Sequence, residues 1–251
     1  MLNLFTKLFA KKPRVSSLSL IGHLYPEGEH KCPVYELDGN GAYELIQRFN
    51  NENPALFLVA LGNSANRSPI LEHVEGRAQT PEEVILGDFE EFLEAQKQAR
   101  QLEIGSDAIF PRGEWDDNVE RVTPYFGSLY EWGKDGPIFH EKVQAVAVPS
   151  TPEWTALKFI PFGAWNDCPY DEIHVAAHKK WFEQYGARIE GVTSDILTFS
   201  VANPPSSRQD ALKLAKEQFL YCPDIVEQGT QTIDALASSL LNSKTWFFWW
   251  D

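Results

Sequence analysis

The run Ala55-Leu-Phe-Leu-Val-Ala-Leu-Gly62 limits the fold more than any other stretch, because it carries no polar side chain from end to end. A strand with one wet face alternates apolar and polar residues. An uninterrupted apolar run of strand length reads instead as a central strand covered on both sides. The chain must therefore build a sheet with material packed on each face. Residues 17–25 and 32–38 supply two further strands, split by the turn-rich Pro26-Glu-Gly-Glu-His-Lys31, and Val143–Val148 supplies another. Residues 39–53 form a short amphipathic helix with Tyr43, Ile46 and Phe49 on its inner side.

Helix starts are written plainly. Thr80-Pro-Glu-Glu83 has a capping residue, proline at the first helical position and glutamate three residues on. Asp88-Phe-Glu-Glu91 repeats the logic after Gly87, so a kink or second start is expected there, with the helix running to about Leu102. Residues 105–140, rich in Gly, Pro and aromatics, read as a long surface excursion with little regular structure. In the last third, Ala156–Phe162 reads as a strand and Pro169–Tyr185 as a helix. Residues 187–193 and 196–202 form a hairpin across Ser194-Asp195. Ser206 and Gln209 make a capping box for a helix ending near Tyr221. A further helix covers 231–241, and Lys244–Asp251 closes as a strand. The fold class is α+β, a mixed or antiparallel sheet flanked by helices, with a C-terminal order β-α-β-β-α-α-β. Three parts are expected: an amphipathic arm (1–14), an N-terminal α/β region (15–148) and a C-terminal α+β domain (149–251).

Charge narrows the partners. Net −14 over 251 residues argues against nucleic acid, which needs a basic face. It permits attraction to a basic protein partner, and the run Glu82–Glu94 has six carboxylates and no basic residue. The same run needs no role beyond a solvated helix face. Three scattered cysteines, Cys32, Cys168 and Cys222, point to a reducing cytoplasm. No apolar run approaches the ~18–20 residues that span a bilayer. In the arm, Leu4, Phe5, Leu8 and Phe9 share a face flanked by Lys7, Lys11, Lys12 and Arg14. Pro13 stops it early, so fraying or packing is expected, with membrane contact through residues 1–14 as the alternative.

Chemistry concentrates in Asp167-Cys-Pro-Tyr-Asp-Glu-Ile-His-Val-Ala-Ala-His178. With Pro169 at the first helical position, Cys168 or Asp167 is the cap, and Asp171 and Glu172 meet the positive end of the helix dipole. His174 falls inside an apolar stripe with Tyr170, Ile173, Ala177, Trp181 and Tyr185, and His178 lies at its rim. An inward histidine of this kind is either a hydrogen-bonded core residue or a catalytic or ligand-contacting one. His174 and His178 stand four apart, as zinc-binding pairs do, but Val-Ala-Ala separates them where such a motif carries glutamate. The metal reading is therefore the weakest, and no cofactor is expected. Cys168 and Cys222 each precede a proline, which fits structural helix-end positions, although a thiol at a helix N-terminus can also be reactive. Trp165, Trp181, Trp249 and Trp250, with Asn166, Asp224 and Asp251, form either core or an aromatic pocket with polar fixtures.

The last third resembles a bacterial family known as domain of unknown function 4253. The likeness rests on Gly163–Ala187, on Gly191–Val201, on Asn203–Gly229 and on the terminal Trp246–Asp251. It covers about residues 145–251 and is weak before that. The resemblance implies a bacterial protein and an intact natural C-terminus. It implies no activity, and the position of His178 departs from the apolar residue usual there. The expectation is thus a non-enzymatic binding or interaction protein, regulatory or toxin-neutralising, with an acidic surface. The alternative is a small-ligand-binding or hydrolytic enzyme, metal-assisted, centred on His174, Cys168, Cys222 and Asp224.

Overall fold

The computed structural model describes residues 17–25, 31–76, 80–118, 123–150 and 152–251, so the arm expected at 1–14 lies outside the described residues. One seven-stranded sheet organises the molecule. Its strands are β1 (Ser19–Leu24), β2 (Cys32–Asp38), β3 (Leu56–Gly62), β6 (Lys142–Pro149), β7 (Ala187–Val192), β8 (Ile196–Val201) and β9 (Thr245–Trp249). They lie in the order β1-β2-β6-β3-β7-β8-β9. Neighbours run antiparallel except β3 and β7, which are parallel with Ala60 opposite Gly191.

The apolar run lies at the middle of this sheet, and both its faces are covered. Val59 and Leu61 join the larger core, under α2 (Ser64–Gly76), α3 (Phe89–Ile104), α5 (Asp171–Tyr185), α6 (Arg208–Tyr221) and α7 (Ile233–Leu240). Leu58 and Ala60 join a smaller core on the opposite face, built with Ala42, Leu45 and Ile46 of α1 (Ala42–Glu52) and with Tyr125, Leu129 and Tyr130. The fold is α+β, a mixed sheet flanked by helices. No described helix is long and apolar enough to cross a membrane.

Local starts follow sequence chemistry with a few displacements. Thr80 and Glu83 do form a capping box, but over a single 3-10 turn, Pro81–Glu83; the longer helix begins at Asp88, whose side chain accepts from the Glu91 amide. For α6 the cap is Ser207, accepting from Asp210 N, and not Ser206 with Gln209. The strand expected over 156–162 is absent. Glu153–Thr155 and α4 (Ala156–Phe159) form a short helical segment there, with Leu157, Phe159, Ile160 and Phe162 buried against the larger core. A short apolar run does not tell a strand from a buried helix by periodicity. With β6 as its first strand and the four-residue α4 set before α5, the C-terminal order β-α-β-β-α-α-β is kept. The excursion 105–140 contains a hairpin, β4 (Tyr130–Gly133) with β5 (Gly136–Phe139). Helix α2 follows Asn63, whose Oδ1 accepts from the amides of Ala65 and Asn66.

Candidate functional site

Helix α5 begins two residues later than Pro169 at its first position would require. Tyr170 is the cap and Asp171 the first helical residue, with Asp171 and Glu172 in the first turn as expected. The reason lies in the preceding loop. The Pro169 carbonyl accepts from Ala164 N at 2.9 Å and the Trp165 carbonyl from Cys168 N at 2.8 Å, so the chain turns back before the helix opens. Because Cys168 lies off the helix, it reaches His174 although the two are more than a helical turn apart in sequence. Its Sγ is 3.5 Å from His174 Nε2.

His174 is wholly buried. Its Nδ1 is 2.5 Å from the Tyr221 hydroxyl, and the rings of Phe162, Tyr221 and Trp250 stand edge-on around it at 5.2–5.4 Å. A tyrosine hydroxyl donates to an imidazole nitrogen only when that nitrogen is unprotonated. The Pro169 carbonyl can only accept, so the ring proton is assigned to Nε2, which faces it and Cys168, and Nδ1 accepts from Tyr221. Burial drops the His174 pKa to about 3, against a weaker opposing pull from the Pro169 carbonyl. Burial also pushes both the Cys168 and Cys222 thiols far up. A neutral imidazole beside a protonated, solvent-shut thiol holds the loop to the helix; it does not generate a nucleophile. Gly163 makes this packing possible: at φ +99°, a Cβ there would stand 2.0 Å from the Pro169 carbonyl oxygen and 2.5 Å from His174 Nε2.

The other named residues divide among separate neighbourhoods. His178 is buried, its Nε2 donating to Ala187 O at 3.2 Å, with its pKa lowered by burial to about 4. Among the described residues, no three His, Cys, Asp or Glu side chains converge as a metal set. Trp181 is core: it stacks on Phe248 at 5.1 Å and donates to Glu217 at 2.6 Å. Cys222 Sγ donates to the Trp249 carbonyl, and Trp249 Nε1 donates to Asp195. Trp165 is half-buried against Phe162. Asn166, Asp224 and Asp251 do meet, at the surface. Asn166 donates to the Asp251 carbonyl at 2.6 Å, and Asp224 accepts from the Asp251 amide at 3.0 Å. That trio fastens Asp251, two residues beyond the end of the edge strand β9.

A different group has the makings of a site. On the face of the smaller core, a cleft of about 230 Å³ is lined by α1, by Tyr125 and by β7 and β8. The β7–β8 register shifts between Ile189 and Gly191, and this bulge inserts Glu190 as an extra residue. Glu190 lines the cleft while 94% shielded from solvent (6% exposed), and its Oε2 has no hydrogen-bond partner among the described residues. Burial raises its pKa to about 8, against smaller lowering pulls from Ser200 and the Tyr125 backbone. Tyr125 holds a left-handed backbone, φ 62°, and its hydroxyl accepts from Gln47 at 2.9 Å. Such backbone strain in a bulky residue concentrates at functional positions. One signal in the sequence pointed here: a glutamate inside the otherwise apolar Ile189–Val192.

Comparison with curated proteins and with solved structures returns no match. A family model described as Domain of unknown function (DUF4253) matches residues 144–251, from within β6 through β9, and over that segment the chain is similar to this family.

Proposed function

We propose that this chain is a binding protein that holds a small polar ligand in the Glu190 cleft. The observation that carries the reading is a buried carboxyl oxygen without a partner, lining a cavity of ligand size. Buried polar atoms are nearly always hydrogen-bonded, so one left open beside a cavity marks where a partner can be supplied from outside. Catalysis centred on His174 has less support, since both its ring nitrogens and the Cys168 thiol are engaged inside the core.

The docking of a basic partner on the acidic run 82–94 stands second. Part of that charge is already met within the chain, Glu90 by Lys180 and Glu94 by Lys97. Three free, buried cysteines support a reducing, cytoplasmic setting. The test is a thermal-shift screen of small polar compounds against the wild type and Gln47→Trp, which fills the cleft from α1. Ligand-dependent stabilisation in the wild type that is lost in Gln47→Trp supports the reading. Stabilisation retained in the variant contradicts it.

A further inference from the structure

The cleft's own wiring indicates which class of ligand it takes. Most of the polar groups lining it are already committed. Asn50 bridges its own helix to β3, accepting from Leu58 N at 2.7 Å and donating to Leu58 O at 3.2 Å. Gln47 donates to Tyr125, Asn53 to the Phe49 carbonyl and Ser150 to the Pro54 carbonyl. These side chains are wall. A polyol, which needs many open donors and acceptors, finds few here. An anion finds little open charge either: among the described residues lining the cleft Arg188 is the one basic residue, and its Nε pairs with Glu153. What stays open is Glu190 Oε2, an acceptor beside the Tyr43 and Tyr125 rings, which meet edge-to-face at 5.6 Å. A carboxylate flanked by aromatic rings suits an ammonium group, by direct charge pairing and by attraction to the ring faces.

We propose that the Glu190 cleft binds a small organic cation, a protonated amine, which pairs with the Glu190 carboxylate and displaces its proton to solvent. This rests on reading the cleft as a ligand site. The ionisable groups facing Glu190 are Tyr43 on α1, Tyr125 and Tyr130 on the loop and strand below, Arg188 on its own strand and Glu153 beside it. The tyrosines stay neutral well past neutrality, since burial raises all three, and Arg188 and Glu153 offset each other. Among the described residues the cation nearest an ionised Glu190 is Arg188, and Glu153 already holds it. Near neutral pH the resting carboxyl is therefore protonated, and one proton leaves per cation bound.

The test is titration calorimetry of the full chain with n-butylammonium chloride, using 1-pentanol and D-glucose as neutral probes and potassium chloride at equal ionic strength. Runs at pH 6.5, 7.5 and 8.5 in buffers of different ionisation heat count the protons released. The expected result is amine affinity rising about tenfold per pH unit below pH 8, with close to one proton released at the lower pH values. Glu190→Gln should lose that binding. The proton count on wild-type protein decides the matter even where the variant fails to fold. Amine binding without pH dependence or proton release overturns the inference, as does an equal effect of potassium. Binding of glucose or pentanol in place of the amine, blocked by Gln47→Trp, overturns the cation class but leaves the cleft as a ligand site. No binding by any probe at millimolar concentration overturns both.

Discussion

His174 and Glu190 are both buried ionisable residues among apolar neighbours, yet their surroundings assign them opposite roles. Every polar atom of the imidazole meets a partner within the fold, whereas the carboxyl keeps one oxygen open to a cavity. His174→Ala should cost about 3 kcal/mol in chemical denaturation, by leaving a cavity and an orphaned Tyr221 hydroxyl. Tyr221→Phe should cost about 1–2 kcal/mol, since it orphans only His174 Nδ1. Gly163→Ala should be at least as severe as Tyr221→Phe, because a Cβ there has no room and a positive φ adds strain. Asp224→Ala, at the surface, should stay within about 1 kcal/mol. Helical spacing alone places His174 on the inner stripe. It does not disclose Cys168 Sγ, because that contact depends on a loop reversal set by backbone hydrogen bonds from Ala164 and Cys168. Glu190 was harder still to read, since a one-residue bulge decides where its side chain points.

Elements were legible where chemistry was local. β3 at the middle of the sheet, the hairpin of β7 and β8, and β9 all follow from apolar pattern and turn signals. The strand expected at 156–162 gave way to a helical turn because its buried residues meet apolar neighbours on several sides, so no wet face stamps a period on the sequence. The start of α6 offers a sharp test at this scale. Ser207→Ala should lower stability by about 1 kcal/mol through loss of the bond from Asp210 N, while Ser206→Ala should be nearly neutral, both read from denaturant midpoints. A larger effect at Ser206 would return the cap to the position that the sequence pattern first indicates.

Across the whole molecule, the buried groups set how stability depends on pH. His174 and His178 are neutral in the fold, with pKa values of about 3 and 4, while their unfolded forms gain protons below about 6.5. They stabilise the fold above that pH and weaken it progressively as pH falls. Glu190 acts in the opposite sense. Its folded pKa of about 8 exceeds the unfolded value near 4.5, so the folded state holds an extra proton in that window and stability declines as pH rises through it. Between about 4.5 and 6.5 the two histidines outweigh the one glutamate, and stability should rise by about 1.4 kcal/mol per pH unit. Above 6.5 only the glutamate operates, and stability should fall by a similar slope. Thermal or denaturant melts across this range should therefore peak near pH 6.5, and Glu190→Gln should remove the fall between 6.5 and 8. The sheet that carries these groups was foreseeable from apolar runs. Their linkage was not, because it arises from burial that only the packed layers create.

The most direct measurement is the titration of the Glu190 side-chain carboxyl by carbon-13 NMR, assigned by comparison with Glu190→Gln, with and without n-butylammonium. A midpoint near 8 in the free protein, moved down by more than one pH unit by the amine, is the result expected of a buried, open carboxyl awaiting a cation. A midpoint near 4.5 in the free protein, unmoved by the amine, would contradict it.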